Sequence, residues 1–234
     1  MGALLEIGAS ILSQATRRAE VSAQNISNMT TVGYKRRVSF ESFIGAVELN
    51  TPQLPEQSIG TDFSEGKQIE TGSPLDLAIT GNGFFTVATA DGVLYTRQGQ
   101  LQRDRDGRLL TAPGLALQAE AGGDLVLRDG PFQVTSEGVV IQDGAPIAKL
   151  AIAELTDPTA TTHEPGGLFA APEGSVSPAK ASVLRQGALE SSNVSTADEM
   201  VGLMEAVRRA ETGQRLIGIY DDLMGRALTA FGQA

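Results

Sequence analysis

The sequence predicts an α+β protein in which helices from the two ends of the chain pair as a coiled-coil-like domain, with a central all-β domain between them. Three observations predict this arrangement. A seven-residue apolar repeat occupies the C-terminal end, an amphipathic stripe occupies the N-terminal end, and short β-prone runs alternate with Asp-Gly turns in the middle. Because regular short strands form layered or closed sheets, the central domain is expected to be an antiparallel sandwich or barrel-like.

The C-terminal repeat indicates a long helix with one face turned to a partner. One set of positions seven residues apart is apolar throughout: Leu203, Ala210, Ile217, Met224 and Phe231. A companion set is apolar at its ends and polar in its middle: Met200, Val207, Gln214, Asp221 and Leu228. Since a strict seven-residue repeat keeps one seam against a partner helix, both sets are expected to line an assembly interface. Gln214 and Asp221 would fix the register of that seam, or would face solvent if the seam is rotated.

The N-terminal stripe indicates a partner helix for this seam. Its apolar residues recur near the helical period: Leu4, Ile7, Ile11, Ala15, Ala19 and Ile26. Alanines in its second half would let another helix approach closely. A lone amphipathic helix would simply pack on its own domain, but helices at both ends of one chain favour pairing with each other. We therefore include this stripe in the predicted assembly interface and expect the helix to end near Ile26.

Composition divides the chain into three parts. Residues 1–35 and 186–234 are predicted to form the paired terminal helices, residues 36–70 an extended connector, and residues 71–185 the central β domain. The connector mixes short apolar pieces with Pro52, Pro55 and several glycines. Beyond it the sequence alternates at period two, and Asp-Gly turns separate the predicted strands. The last part of the β domain, from residue 157, is rich in Pro, Gly, Ser and Thr and is predicted to form a loop and a return segment.

Charge and composition exclude several classes of function. The formal net charge is -10, which argues against nucleic acid and acidic membrane surfaces as partners. The chain has no cysteine, so disulfides and thiolate metal sites are excluded. No window reaches the roughly 18–20 apolar residues of a membrane span. No basic region precedes an apolar run, so we expect neither membrane insertion nor a cleaved secretory signal.

The sequence offers no group of residues suited to catalysis. The single histidine, His163, lies in a predicted loop without a nucleophile partner and is expected to be an ordinary surface residue. The Gly81-Asn82-Gly83 turn is followed by a strand and not by a helix, which rules out a dinucleotide loop. Walker, nucleophile-elbow and zinc-protease motifs do not occur. The sequence therefore predicts no enzyme, no catalytic residue, no metal and no cofactor.

Three stretches, in order along the chain, together resemble one known family. The first contains Asn25, Asn28, Gly33, Tyr34 and Lys35. The second contains Gly81, Gly83, Phe84, Phe85 and the Tyr95-Thr96-Arg97-x-Gly99 run. The third runs from Gly187-Ala188-Leu189-Glu190 through Asn193 to Glu199 and Met200. In this order they resemble the axial rod-and-hook proteins of the bacterial flagellum. Leu101, where an aromatic is common, and the Met29-Thr30-Thr31-Val32 run depart from the pattern in ways that concern the subtype.

The resemblance implies an architecture and a role. In this family, paired terminal helices form an inner tube and a β domain lies outside it. The implied function is that of a structural subunit of the basal-body rod, polymerising into the helical shaft that transmits motor torque across the periplasm. Members are exported by the flagellar type III apparatus without a cleaved signal, so the implied partners are copies of the chain, other rod proteins and that apparatus. Chain length favours the proximal rod subunit, with the distal rod subunit as the alternative.

A secreted β-domain module for binding or adhesion is the alternative from another class. In such a module the helices would serve only to oligomerise the chain. It would present a ligand cleft rich in aromatic residues, whereas this chain has 8 Phe, 3 Tyr and no Trp. A hydrolase on a β scaffold would need catalytic groups that the sequence does not supply.

Overall fold

The computed structural model describes residues 3–42, 56–90, 92–172, 174–179 and 181–232. The middle of the predicted connector, including Pro52 and Pro55, lies outside these ranges. Leu4 and Phe231 belong to helices, but their side chains also lie outside the description.

The chain divides into two compact units. The first takes its described residues from Met1–Ser27, Arg37–Gly60 and Ser195–Ala234. The second takes its described residues from Asn28–Arg36 and Thr61–Val194. Both long helices belong to the first unit and most strands to the second, so the described chain is of mixed α+β composition.

Two long helices dominate the first unit. Helix α1 (Ala3–Ser27) ends close to its predicted end, and helix α2 (Thr196–Gly232) begins directly after Ser195. The Ser195 carbonyl accepts a hydrogen bond from Glu199 N–H at 3.0 Å, and the Ser195 hydroxyl lies 3.5 Å from the Asp198 nitrogen. Ser195 therefore caps α2, since its two oxygens satisfy backbone donors that a helix start leaves unpaired.

A strand pair completes the described part of the first unit. Strands β1 (Arg37–Ser42) and β2 (Glu56–Thr61) pair with each other in a stretch predicted to be an extended connector. The Phe40 ring covers Gly60 so closely that an added Cβ would lie 2.8 Å from it. A glycine at this position therefore leaves room for the Phe40 ring on the neighbouring strand.

Helices α1 and α2 contact each other through glycine. A Cβ added at Gly213 would lie 3.0 Å from the Gly8 oxygen and 3.0 Å from the Leu12 nitrogen. A Cβ added at Gly8 would lie 3.0 Å from Cγ1 of Ile217. Ala206, about two helical turns before Gly213, is fully buried. The helices thus approach backbone to backbone, because small residues leave no side chains to hold them apart.

The predicted coiled coil is wrong, because only half of the seven-residue pattern faces α1. The apolar set is half-buried wherever its side chains are described: Leu203, Ala210, Ile217 and Met224. The companion set is exposed: Met200, Val207, Gln214, Asp221 and Leu228. The second row of the contact comes from residues one position earlier: Glu199, Ala206, Gly213, Tyr220 and Ala227. Glycine and alanine in this row replace the large interlocking side chains that define a coiled coil.

Short strands make up most of the second unit. In chain order they are β3 (Gln68–Glu70), β4 (Leu77–Thr80), β5 (Gly83–Thr89), β6 (Gly92–Thr96), β7 (Leu101–Arg103), β8 (Leu109–Thr111), β9 (Phe132–Val134), β10 (Val139–Gln142), β11 (Ala145–Lys149), β12 (Ile152–Leu155), β13 (Thr162–Glu164), β14 (Leu168–Ala170), β15 (Val176–Pro178), β16 (Val183–Gln186) and β17 (Ala188–Glu190). A 3-10 turn covers Pro158–Ala160. Strands β13 to β16 therefore occupy much of the segment that was expected to be a loop.

The predicted sandwich or barrel is also wrong, because the described strands form several separate sheets and no closed one. The largest sheet has six strands in the order β13-β14-β6-β5-β12-β15. A second sheet has the order β11-β10-β9, and the pairs β16-β4, β17-β3 and β7-β8 are separate. All pairs with a defined register in this unit are antiparallel, and strands such as β4 and β16 find partners far along the chain. A layered sandwich needs two continuous sheets, which strands this short and scattered do not build.

The six-stranded sheet carries apolar side chains on both faces, since successive residues of a strand point in opposite directions. Phe85 and Val87 of β5 join the larger core, and both are fully buried. Phe84 belongs to a smaller cluster with Leu155 and Phe169. Strand β5 therefore anchors both cores of the second unit.

An Asp-Gly pair closes the hairpin between β10 and β11. Asp143 has φ 52° and Gly144 has φ 76°. Positive φ at both central residues defines a type I′ turn, which matches the twist of a two-residue hairpin. The sequence indicated a turn at this pair for the same reason.

Candidate functional site: the linker cluster and the exposed helix surface

Two segments join the second unit to the helices along the chain. The N-terminal linker, residues 28–36, follows α1, and the C-terminal linker, residues 187–194, precedes α2. The two linkers are hydrogen-bonded to each other within the second unit. Gly33 N–H donates to the Glu190 carbonyl at 2.8 Å, and Arg36 N–H donates to Asn193 Oδ1 at 2.7 Å. The first and third of the family-like stretches therefore meet in space.

Asn193 joins the linkers to a third segment. Its Nδ2 group donates to the Asp62 carbonyl at 2.9 Å and to the Ser64 carbonyl at 3.1 Å. Asp62 N–H in turn donates to the Arg36 carbonyl at 2.8 Å. Because both ends of the Asn193 amide are used, this side chain ties the N-terminal linker to the segment from Asp62 to Ser64, in addition to their direct backbone hydrogen bond.

A buried ion cluster lies beside this bridge, formed by Lys35, Glu190 and Arg97; we call these three residues the junction cluster. Lys35 Nζ lies 2.7 Å from Glu190 Oε1, and Arg97 Nη1 lies 3.2 Å from Glu190 Oε2. The side chains are only 0%, 2% and 1% exposed for Lys35, Glu190 and Arg97. Lys35 Nζ also donates to the Ser64 carbonyl at 2.7 Å, and Gly66 N–H donates to Glu190 Oε1 at 2.9 Å.

Burial dominates the electrostatics of both cations. Removal from water lowers the pKa of Lys35, and the neighbouring Glu190 carboxylate opposes that change. Burial likewise lowers the pKa of Arg97, again against the effect of Glu190. Since an arginine guanidinium stays protonated in proteins, Arg97 keeps its charge and depends on Glu190 for compensation.

Arg97 connects the cluster to the central family-like stretch. Its Nη1 group donates to the Ile79 carbonyl at 3.2 Å, and its Nη2 group donates to the Gly81 carbonyl. Its guanidinium carbon lies 4.7 Å from the centre of the Phe84 ring, which places the cation on the aromatic face. These contacts fix the turn between β4 and β5 to the same cluster that holds both linkers.

A chain of aromatic contacts supports the N-terminal linker. Tyr34 meets His163 edge to face at 6.3 Å between ring centres, and His163 meets Phe169 at 5.4 Å. Phe169 in turn packs on Phe84 at 5.8 Å and on Phe63 at 5.1 Å. His163 was expected to be an ordinary surface residue, but it is half-buried between Tyr34 and Phe169. Its place in strand β13, beside β14, accounts for the difference.

The remaining residues of the family-like stretches have separate positions. Gly81 has φ 99°, and Gly83 lies so close to Ser182 that an added Cβ would be 2.5 Å from its Oγ. Phe85 is in the larger core. Asn28 accepts a hydrogen bond from Thr31 N–H at 3.0 Å within the N-terminal linker. At the start of α2, Glu199 is buried and Met200 is exposed.

Asn25, in the first unit, ties the end of α1 to the start of β1. Its Nδ2 group donates to the Arg37 carbonyl at 2.8 Å, and its Oδ1 atom accepts from Arg37 N–H at 2.9 Å. Asn25 is completely buried. Its amide forms the same two hydrogen bonds with the Arg37 backbone that a residue on a neighbouring strand would form. Arg37 also donates from Nη1 to Gln24 Oε1 at 2.6 Å.

Replacing Asn25 with alanine is expected to destabilise the first unit by about 1–3 kcal/mol, because the Arg37 backbone donor and acceptor would lose their buried partner. Thermal unfolding followed by helical circular dichroism measures the loss. The exposed Ser27→Ala change, also at the end of α1, is the control and should have little effect. Equal stability of the two variants would show that the Asn25 amide does not hold β1.

The exposed helix surface contains the residues predicted for assembly. On α1, Ile7 is exposed, Ala15 is buried, and Ile11, Ala19 and Ile26 are half-buried. On α2, Met200 is 52% exposed and Leu228 is 68% exposed. The contact between α1 and α2 therefore covers only part of the predicted interface. Whether the rest contacts other molecules stays a prediction.

Sequence reasoning missed two groups of residues that the structure makes candidates for the site. Further exposed apolar residues lie on α2: Val201, Met204, Ile219 and Leu223. They fall outside the seven-residue seam, so that template did not select them. Glu190 and Arg97 were placed in family-like stretches without a role. The sequence carries no local signal for their burial, because Arg97 lies between Thr96 and Gln98 and Glu190 precedes two serines, and charged residues in such surroundings are usually exposed.

A metal site and a ligand cleft each place requirements on the described residues. Among the described residues, no group of three or more His, Asp or Glu side chains is placed to hold a metal ion. A cleft of about 310 Å³ lies beside β12 and β15, and Tyr95 is the aromatic residue in its lining. Burial raises the pKa of Tyr95. This cleft lacks the several aromatic residues that the binding-module alternative predicts.

None of the described helices combines the length and apolarity needed to cross a bilayer.

Comparison with protein families gives two matches, both flagellar. Residues 78–164 match the family described as flagellar hook protein FlgE/F/G D1 domain. Residues 185–230 match the family described as flagellar basal body rod FlgEFG protein C-terminal. The two matches cover most of the β unit and most of α2.

Individual relatives match over nearly the whole chain. The flagellar basal-body rod protein FlgF of Escherichia coli K12 is 30% identical, with 92% of each chain covered. The FlgF protein of Caulobacter vibrioides is 27% identical, with 98% of each chain covered. The flagellar basal-body rod protein FlgG of Agrobacterium fabrum is 28% identical, with 94% of this chain and 95% of the relative covered.

Long helices at both chain ends with an exposed apolar surface are typical of a subunit that assembles, and both family matches are to structural proteins of the flagellum. The chain belongs to the family of flagellar basal-body rod proteins. It is a structural component of the flagellar basal body, and its family assembles with other rod proteins. This assignment replaces the alternative of a secreted binding module.

Proposed function

We propose that copies of this chain polymerise, together with other rod proteins, into the proximal part of the rod as a helical shaft that transmits torque across the periplasm. The distal part of the rod is the alternative position. Heterologous contacts whose symmetry does not close generate such an open helical assembly. The proposal includes delivery through the flagellar export apparatus without a cleaved signal.

The exposed apolar surface of α2 is the observation that carries the proposal. Met200, Met204 and Val207 lie on one side of the helix at helical spacing, and each is about half exposed or more. Ile219 and Leu223 form a second exposed apolar patch further along, on a side of the helix turned by roughly 100° from the first. A single chain gains nothing from exposing a row of large apolar side chains, whereas burial against a neighbour releases about 25 cal/mol for each square ångström covered.

Two glycines in α2 are further evidence that this helix contacts a neighbouring subunit. Gly218 and Gly225 lie in the helix interior, and a Cβ added at either would meet no described atom within 4 Å. Each costs the isolated helix about 1 kcal/mol relative to alanine. Of the other glycines of α2, Gly202 and Gly213 lie against α1. We infer that Gly218 and Gly225 serve an equally close approach by a helix of a neighbouring subunit.

Met204→Glu is expected to prevent incorporation into the rod while leaving the isolated chain folded, because a carboxylate would be forced into an apolar subunit contact. Met204 is 56% exposed, so the change removes little contact within the chain itself. The measurement is swimming motility and the amount of the chain in purified basal bodies, after complementing a strain that lacks the native copy.

Met204→Leu is the matched control, since it keeps an apolar side chain of similar size at the same position. The control should restore motility. Circular dichroism of both purified variants should equal that of the unchanged chain. Normal incorporation of the Met204→Glu chain would refute this surface as an assembly contact.

A further inference from the structure

The junction cluster takes each of its charges from a different part of the second unit. Lys35 belongs to the N-terminal linker, Glu190 to the C-terminal linker, and Arg97 follows strand β6. Lys35 and Glu190 are separated by 155 positions along the chain. Among the described residues, Glu190 is the only carboxylate within ion-pair distance of either cation. One anion therefore serves two cations that have almost no contact with solvent.

Because one carboxylate compensates two buried cations, the stability of this cluster depends on the presence of Glu190. A buried ion pair contributes little net stability, because the desolvation of both ions offsets their attraction. Removing one partner is costly, because an uncompensated charge then stays in a region of low polarity. Without Glu190 in place, Lys35 cannot be buried at low cost. Burial of the N-terminal linker thus depends on the arrival of the C-terminal linker.

We propose that the junction cluster is a latch whose anion, Glu190, holds both linkers closed and releases both when it is removed. Glu190 forms bonds that reach beyond its own linker: the carboxylate pairs with Lys35 and Arg97 and accepts from Gly66 N–H, and the Glu190 carbonyl accepts from Gly33 N–H. The latch is asymmetric. Loss of Lys35 leaves a balanced pair of Glu190 and Arg97, whereas loss of Glu190 leaves two unpaired cations.

The latch has a mechanical consequence. Each linker is the covalent continuation of one long helix into the second unit. A force along either helix therefore acts first on one linker, and a bond between the linkers shares that force between both. The proposal concerns the second unit of a single chain and does not depend on rod assembly. Its test on the monomer therefore fails or succeeds separately from the assembly test.

The test is hydrogen–deuterium exchange of the full chain, compared with its Glu190→Gln and Lys35→Met variants. Glu190→Gln is expected to raise exchange at least tenfold in both linkers, including the Gly33 and Ser191 amides, while the paired amides of β5 and β6 stay protected. Lys35→Met is expected to change exchange far less. Glu70→Gln, in an exposed pair with Arg185, is the control and should change neither linker.

The double variant Lys35→Met/Glu190→Gln separates charge from packing. Because it leaves one unpaired cation where Glu190→Gln leaves two, the latch predicts slower linker exchange in the double variant than in Glu190→Gln. Additive loss in the double variant, or protection of the N-terminal linker in Glu190→Gln, would overturn the proposal. If Glu190→Gln does not fold, recovery of a folded double variant supports the latch, and failure of both variants overturns it.

Discussion

Replacing Gly33 with alanine is expected to destabilise the second unit by more than about 3 kcal/mol. Gly33 has φ +67°, a left-handed conformation that costs a residue with a side chain roughly 1–2 kcal/mol. A Cβ at this position would also lie 2.4 Å from the carbonyl carbon and oxygen of Arg97. Those atoms are backbone and cannot turn away as a flexible side chain would. The hydrogen bond from Gly33 N–H to the Glu190 carbonyl would be strained as well. Urea unfolding followed by circular dichroism measures the loss.

Gly72→Ala is the matched control for this substitution. Gly72 has φ +71°, nearly the same conformation, but an added Cβ would meet no described atom within 4 Å. Alanine there should cause only the conformational cost of roughly 1–2 kcal/mol. The difference between the two variants isolates the contact between the N-terminal linker and Arg97. Equal losses in the two variants would show that the close approach at Gly33 does not contribute.

Replacing Gly213 with valine is expected to destabilise the helix pair by about 2–3 kcal/mol. An added Cβ would already lie 3.0 Å from the Gly8 oxygen and the Leu12 nitrogen, so the two further methyl groups of valine have no space. Helices α1 and α2 would have to separate along the contact that buries Ala206. Thermal unfolding of the isolated chain, followed by the helical circular dichroism signal, measures the effect.

Gly218→Val makes the same chemical change on the same helix, at a position with no described atom within 4 Å of an added Cβ. Valine is a slightly better helix former than glycine, so this control should leave the melting temperature unchanged or raise it a little. A drop in melting temperature at Gly218 equal to that at Gly213 would contradict the assigned contact face. In that case the loss would come from the helix itself.

The face of α2 that packs against α1 shows where the seven-residue pattern was sufficient and where it failed. Seven-residue spacing identified a long helix and one correct row, Leu203 to Met224, because apolar side chains at that spacing lie on one side. The second row was taken from large residues such as Met200 and Val207, which are exposed. The true second row contains Ala206 and Gly213. Small residues have little hydrophobic signal, yet they allow the closest helix contact.

The junction cluster shows a second limit of prediction from sequence. The family-like stretches located Lys35, Arg97 and Glu190 near other marked residues, but local sequence gave no reason to pair them. A charge in a polar linker is usually exposed, and it becomes buried only when distant segments supply its partners. The partners of Lys35 come from Ser64 and Glu190, which lie in two other segments of the chain.

The sequence alone determined the helices at both ends, the turn at Asp143-Gly144 and the membership of the flagellar rod family. Each of these features depends on residues that are close together in the chain, or on family motifs that can be recognised in the sequence. Only the tertiary structure decided which face of α2 meets α1, how the strands divide among separate sheets, and that one buried carboxylate holds both linkers. Each of these depends on contacts between distant segments, whose geometry no local spacing of residues records.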